Sequence, residues 1–214
     1  RRSVRRSDNS EKEGKEMTTP FTSHLVVGIA GKAGHGKDTV AQIISRKLME
    51  QGQYNTIIRL ADALKDAYAM MFSLNRDDLE KLEFKLKKNE ITGTTHREEL
   101  QFLGTEAYRT RTGNQNVWIQ VLVDRLKSYH GDAMFPALIP DVRFENEALF
   151  CTRNGILLKV ERPGQEATVN SGHVSEAGFR TLPHMTIMND GSLADLETKC
   201  EEAVKLILLK YGSY

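Results

Sequence analysis

The sequence predicts a three-layer α/β domain on a mostly parallel sheet of about five strands. One observation is local. An apolar, β-branched run, Leu25–Ala30 (LVVGIA), passes straight into a glycine-rich turn and then into helical spacing at Val40, Ile43, Ile44 and Leu48. A second is global: short apolar runs alternate with helical patterns along the chain, as in strand–helix–strand units. The third is size, since 214 residues suit one such domain with a smaller helical insert and a substantial buried core.

The turn is Gly31–Thr39 (GKAGHGKDT), which satisfies G-x-x-x-x-G-K through Gly31, Gly36 and Lys37. Gly31, Gly34 and Gly36 allow backbone dihedrals that side chains forbid, so that several N–H groups can aim at one anion. The following helix adds the positive end of its dipole, and Lys37 a mobile charge for β- and γ-phosphates. Asp38 stands where the general motif has Ser or Thr; a carboxylate there still suits Mg²⁺, which prefers hard oxygen ligands.

Formal charge is +1, which implies no general affinity for nucleic acid or membrane. Residues 1–16 carry a net +2 with Val4 as their one apolar side chain, so this stretch cannot order itself; it is expected to be added sequence upstream of a natural start at Met17, the alternative being a real disordered arm. Cys151 and Cys200 have no metal-ligand spacing and point to buried thiols in a reducing cytosol. No apolar run approaches the roughly 20 residues that span a bilayer, and the start lacks a signal-peptide core. The expectation is a cytoplasmic protein.

After the loop helix, Tyr54–Leu60 (YNTIIRL) reads as a second strand and Asp62 as the N-cap of a helix through Tyr68, Met71 and Phe72. Asp62 and Lys65 follow that strand's carboxyl end, the side on which parallel sheets bind ligands. Arg76–Asn89 reads as a charged helix with a thin apolar face at Leu79, Leu82, Phe84 and Leu86. A helix from His96 to about Arg111 turns Leu100, Leu103 and Ala107 to the core, leaving Arg97, Gln101, Gly104, Thr105 and Tyr108 on a face able to meet a flat ligand. The segment from about 66 to 115 is thus a helical substrate or lid region.

Val117–Tyr129 is the next helix, with Trp118 near its start; its apolar stripe suits a core or a homodimer face equally. A buried strand within 132–140 ends at Asp141 and Arg143. An acidic residue there suits a metal or base role, and Arg143 could neutralise a transferring phosphoryl group. The alternative is an Asp141–Arg143 ion pair. Glu145–Asn154 is a helix and Ile156–Glu161 a strand, while 162–183 reads as a mobile lid or binding loop. His173, Ser175 and Glu176 crowd too closely for a hydrolytic triad and lack the nucleophile-elbow signature. Met185–Asn189 is a last strand, and the final helix has the stripe Leu196, Cys200, Ala203, Val204, Ile207 and Leu208.

Taken together, the loop ending in Gly36, Lys37, Asp38 and Thr39, then ADALK at 61–65, LGTE at 103–106, the Trp118 helix, IPDVRFENE at 139–147, VERPG at 160–164 and HVSE at 173–176 resemble, in this order, the phage-type deoxynucleoside monophosphate kinases. The resemblance spans about 25–208. It implies a P-loop NTPase fold like that of the nucleoside monophosphate kinases, ATP and Mg²⁺ as cofactors, a deoxynucleoside monophosphate as acceptor, and a host cytoplasm if the chain is phage-encoded. In that family an Asp after the loop Lys is normal.

Carried over, the ATP site would be Gly31, Lys32, Gly34, His35, Gly36, Lys37, Asp38 and Thr39, with Asp38 and Asp141 holding the metal. Lys37, Arg97, Asp141 and Arg143 would serve transfer. The acceptor would meet Asp62, Lys65, Arg97, Gln101, Gly104, Thr105 and Asp141, against Trp118 as an aromatic wall. The family has a second basic residue after that Arg, and this chain has Glu98. Two alternatives stand beside this expectation. One is a P-loop kinase of another phosphorylated metabolite, such as phosphomevalonate or dephospho-coenzyme A. The other is a catalytically weak nucleotide-binding regulator.

Overall fold

The computed structural model describes residues 25–131, 133–164 and 178–212, so the tail and the His173–Glu176 segment lie outside the described residues. Five parallel strands form one sheet: β1 (Leu25–Ala30), β2 (Thr56–Ile57), β3 (Pro136–Val142), β4 (Gly155–Glu161) and β5 (Met185–Met188). Their order is β2-β3-β1-β4-β5, and each adjacent pair is parallel. The α/β class and strand number are as the sequence predicts.

β1 is buried along its whole length, which is why it reads as a continuous apolar run. Leu25, Val27 and Ile29 pack with α1 (Lys37–Glu50) and the carboxyl-terminal helix α7 (Leu193–Tyr211). Val26 and Ala30 face the opposite layer, built from α2 (Asp62–Met71), α5 (Val117–His130) and α6 (Glu145–Arg153). The stripe of α7 is buried at Leu196, Cys200, Ala203, Val204 and Ile207, behind a capping box between Ser192 and Asp195. In α5, Ile119, Leu122, Val123 and Leu126 belong to the core, so the stripe that suited a dimer face is used within the chain.

Several predicted elements change. β2 keeps two of its expected seven residues. Ile58 N still donates to Leu138 O, but the next amides turn away from the ladder toward a side chain described below. Asp62 is the first residue of α2, and Ala61 occupies the cap position. The single helix expected over 76–89 is a 3-10 turn, Arg76–Glu80, followed by the one-turn α3 (Leu82–Lys85), with extended backbone at Lys81 between them. Its apolar residues share no face: Leu79 is fully buried while Leu82 and Leu86 are exposed. Ion pairs hold it instead, because Arg76 reaches Asp62 at 2.9 Å, Asp66 at 2.7 Å and Glu80 at 2.5 Å.

The largest change is in the following helix. α4 (His96–Phe102) opens with a capping box between Thr95 and Glu98, then widens into a π-helix at Leu103–Thr110. Of the expected inward positions, Leu100 is buried and Leu103 packs partly buried against the core, but the buried positions that follow are Gly104 and Arg109, and Ala107 is only half-buried. In a π-helix the hydrogen bonds span five residues, so positions five apart stack. Gly104 and Arg109 therefore share a side.

Candidate active site

The glycine-rich loop is built from backbone. Gly31 sits at φ 151°, and a Cβ there would lie 2.5 Å from the Val160 carbonyl oxygen; at Gly36 (φ 91°) it would lie 2.6 Å from Asn189 Nδ2. Both positions demand glycine on conformation and on space. Gly36 also starts α1 with no side-chain cap, which leaves the first-turn amides to an anion. Lys37 is buried, and its ammonium donates to the Lys32 carbonyl oxygen at 2.8 Å, folded over its own loop. His35 is buried as well, with Nδ1 3.3 Å from both the Val160 carbonyl oxygen and the Arg162 amide nitrogen. Asn189 Nδ2 donates to His35 O at 3.0 Å. Beside the loop a pocket of about 360 Å³ is lined by Gly31, Lys32, His35, Lys159, Val160 and Arg162. Strand β1 thus launches the loop, and the ends of β4 and β5 fasten it.

Asp38 and Thr39 are exposed on the first turn of α1. Asp38 Oδ1 accepts from Arg59 Nη2 at 2.7 Å and Nε at 3.2 Å, and 63 % of its side chain remains exposed. That carboxylate fits Mg²⁺, which commonly takes one or two carboxylates and completes its shell with substrate phosphate and water. Among the described residues no cluster of three or more His, Cys, Asp or Glu could cage a metal by protein alone.

Asp141 sits at the carboxyl end of β3. Pro140 before it has no N–H for the ladder, and the β1–β3 register shifts between Gly28 and Ala30, opposite this point. The irregularity aims the carboxylate sideways. Oδ1 accepts from Leu60 N at 2.9 Å and Oδ2 from Ala61 N at 3.0 Å. These are the amides that left the β2 ladder. Burial raises the Asp141 carboxyl above its usual range, against these two amides and the charges of Arg143 and Lys65. The Asp141–Arg143 ion pair posed from sequence is not the carboxylate's hydrogen-bonded partner; the two amides are.

Asp62 spends its carboxylate locally, accepting from Arg59 N and from Arg76, so it anchors the start of α2. Lys65 donates to Glu80 at 2.7 Å. Burial would raise the Glu80 carboxyl, but Lys65 and Arg76 bring it down to about 2. Arg97, Gln101, Thr105 and Arg143 are half-buried. Gly104 and Trp118 are buried against each other: Trp118 Nε1 donates to the Gly104 carbonyl oxygen at 2.8 Å, and a Cβ on Gly104 would lie 3.1 Å from Leu64. The glycine expected to admit a flat ligand lets the π-helix approach α2, and Trp118 sits behind that helix. This is a consequence of the five-residue repeat.

No protein-family model matches the chain, and no curated protein matches it in sequence. Among solved structures it is similar to the APS kinase CysC of Mycobacterium tuberculosis in complex with AMPPNP and APS (TM-score 0.45, 13% identity, 87% of this chain and 99% of that one). It is also similar to the shikimate kinase of Bacteroides thetaiotaomicron (TM-score 0.39, 12% identity, 86% and 98%). A third is dephospho-CoA kinase from Campylobacter jejuni (TM-score 0.37, 15% identity, 87% and 98%).

Sequence reasoning missed Arg59, Asn189 and the buried pair Arg109–Glu147. Arg109 Nη2 donates to Glu147 Oε1 at 2.6 Å, and the guanidinium lies 4.1 Å from the Phe144 ring centroid. Glu147 Oε2 accepts from the amides of Arg143 at 2.7 Å and Phe144 at 3.0 Å. The π-helix and the loop carrying Arg143 are thereby locked together. An acidic residue inside a helix, four positions after Arg143, was the available signal.

Proposed function

We propose that the chain is a Mg²⁺-dependent kinase that moves the γ-phosphoryl group of ATP to the 5′-phosphate of a deoxynucleoside monophosphate, giving the diphosphate and ADP. The observation that carries this is the opening of the glycine cradle and Lys37 at the carboxyl end of β1, beside Asp141 at the carboxyl end of the neighbouring strand β3. The cations Lys65 and Arg143 act on that same Asp141. One anion fits the cradle, and a second fits the cationic side.

In this reading Gly31, Lys32, Gly34, His35, Gly36, Lys37 and Thr39 hold the ATP phosphates. Asp38 and Asp141 would hold Mg²⁺, and Asp141 also pins the β2–α2 turn through the Leu60 and Ala61 amides. The ion supplies charge neutralisation on the β- and γ-oxygens when bound. The acceptor is already anionic and needs no strong base. Catalysis is therefore alignment plus neutralisation of charge by Lys37, Arg97 and Arg143. Gln101 and Thr105 are the half-buried polar groups available to the base and sugar, with Trp118 and Gly104 as packing behind them.

The test is ADP formation from ATP and Mg²⁺ with each deoxynucleoside monophosphate, with phosphomevalonate and dephospho-coenzyme A alongside. Turnover with one or more deoxynucleotides is the expected result. Activity confined to another acceptor would replace the acceptor assignment, and ATP binding without any turnover would replace the kinase by a nucleotide-binding regulator.

A further inference from the structure

We propose that Arg59 is a positioning residue for the metal carboxylate: it is the resident counter-ion of Asp38, and it yields that carboxylate to Mg²⁺ when ATP binds. The inference rests on the donor-site reading given above and needs no assumption about the acceptor.

The sequence poses the problem. Where the general loop motif has a neutral Ser or Thr, this chain has Asp38, so a carboxylate stands beside Lys37 at the start of α1. A negative charge there suits the helix N-terminus and a metal ion. It also repels the phosphates of an incoming nucleotide unless a cation offsets it. A cation that can exchange with the metal keeps Asp38 balanced both before and after ATP arrives.

Arg59 has the geometry for that exchange. Its Nη2 donates to Asp38 Oδ1 at 2.7 Å and its Nε to the same oxygen at 3.2 Å. The root of the side chain is fixed, because three successive amides each donate to a carboxylate. Arg59 N donates to Asp62 Oδ2 at 2.9 Å, Leu60 N to Asp141 Oδ1 at 2.9 Å and Ala61 N to Asp141 Oδ2 at 3.0 Å. Asp141, the other carboxylate expected to hold the metal, thus anchors the neighbours of Arg59. Motion is thereby confined to the side chain.

That side chain is 28 % exposed and the side chain of Asp38 63 %. An ion pair so open to water is weak. A divalent ion that also bonds the phosphates therefore competes well for the carboxylate. The buried pair Arg109–Glu147 could not serve in this way, because opening it would strand two charges out of water.

The test is read in ATP affinity rather than turnover. The full chain, Arg59→Met, Arg59→Lys, Asp38→Asn and the Asp38→Asn, Arg59→Met double variant are titrated with ATP by calorimetry, once in EDTA and once in excess Mg²⁺. The readout is the factor by which Mg²⁺ lowers the ATP Kd. With its competitor gone, Arg59→Met is expected to raise this factor about fivefold, and Arg59→Lys to stay near the natural value. In the Asp38→Asn background the same Arg59→Met change should alter the factor less than about twofold. Melting temperatures close to that of the natural protein confirm that the variants fold. A factor untouched by Arg59→Met would make the pair a structural contact and overturn the exchange. An equal rise in the Asp38→Asn background would also overturn it, since Arg59 would then act as a nearby charge and not through Asp38. If the natural protein binds ATP in neither solution, the donor-site reading falls and the exchange falls with it. ATP bound with the expected factors, but transferred to no deoxynucleotide, replaces the acceptor assignment and keeps the exchange.

Discussion

The two halves of the site are made differently. The proposed donor half is a cradle of backbone: Gly31 lies under the Val160 carbonyl, the loop amides open at the start of α1, and one side chain, Asn189, fastens the loop at Gly36 and His35 O. The proposed acceptor half is side chain held by side chain, with Arg76 spanning three carboxylates, Glu80 shared by two cations, and Arg109 buried on Glu147. A backbone cradle depends on a few glycines close in sequence. A side-chain assembly depends on partners tens of residues apart, and one substitution there reaches the fold as well as the chemistry.

The contrast is broken most sharply at Glu147. Glu147→Gln leaves the Arg109 charge buried without its counter-ion, and urea denaturation is expected to show a loss of about 3–5 kcal/mol. A loss below about 1 kcal/mol would mean that the acceptor half does not depend on this pair. Lys37→Met should do the reverse, lowering kcat about 10²- to 10³-fold with the melting temperature nearly unchanged. Comparable damage to folding would erase the distinction between the halves.

Asn189→Ala sharpens it further. Loss of its bond to His35 O should cost about 1 kcal/mol and raise the ATP KM roughly fivefold, leaving the acceptor KM alone. A rise in the acceptor KM would show the halves to be coupled through the loop.

The smallest effect is at Glu80, where exposure screens the ion pairs and Glu80→Gln should cost less than about 1 kcal/mol. Its folded pKa, about 2, lies below the ordinary 4.5. A depressed carboxyl contributes stability that is complete above the unfolded value and fades as pH falls through the folded one. Melting curves of the two proteins should therefore differ at neutral pH and converge between pH 4.5 and about 2.

The donor half was legible because its information is local. Three glycines, a lysine and an apolar strand lie within fifteen residues, Leu25–Thr39. The layers and the α7 stripe were legible for the same reason, since a period of two or of 3.6 is written in neighbouring residues. Asp141 was legible as a strand-end acid. Its aim was not, because that depends on Pro140 interrupting the ladder and on two amides eighty residues upstream. Arg59 and Asn189 belong to the site only through partners across the sheet. This helix was misphased in part because a 3.6-residue period was applied to a stretch wound in the wider π form: Leu103 packs against the core as expected, but Gly104 and Arg109 are the buried positions there and Ala107 is only half-buried.

That wider winding carries a consequence for how the chain tolerates insertion and deletion. Each residue turns an α-helix by about 100°, so five residues of ordinary helix would set Arg109 about 140° around the axis from Gly104. Removing one residue between Gly104 and Arg109 would let the segment relax to ordinary winding while keeping both ends in place. Elsewhere in a helix a deletion scrambles the faces that follow it. Here it would restore the commoner geometry, and an added residue would have nowhere left to go.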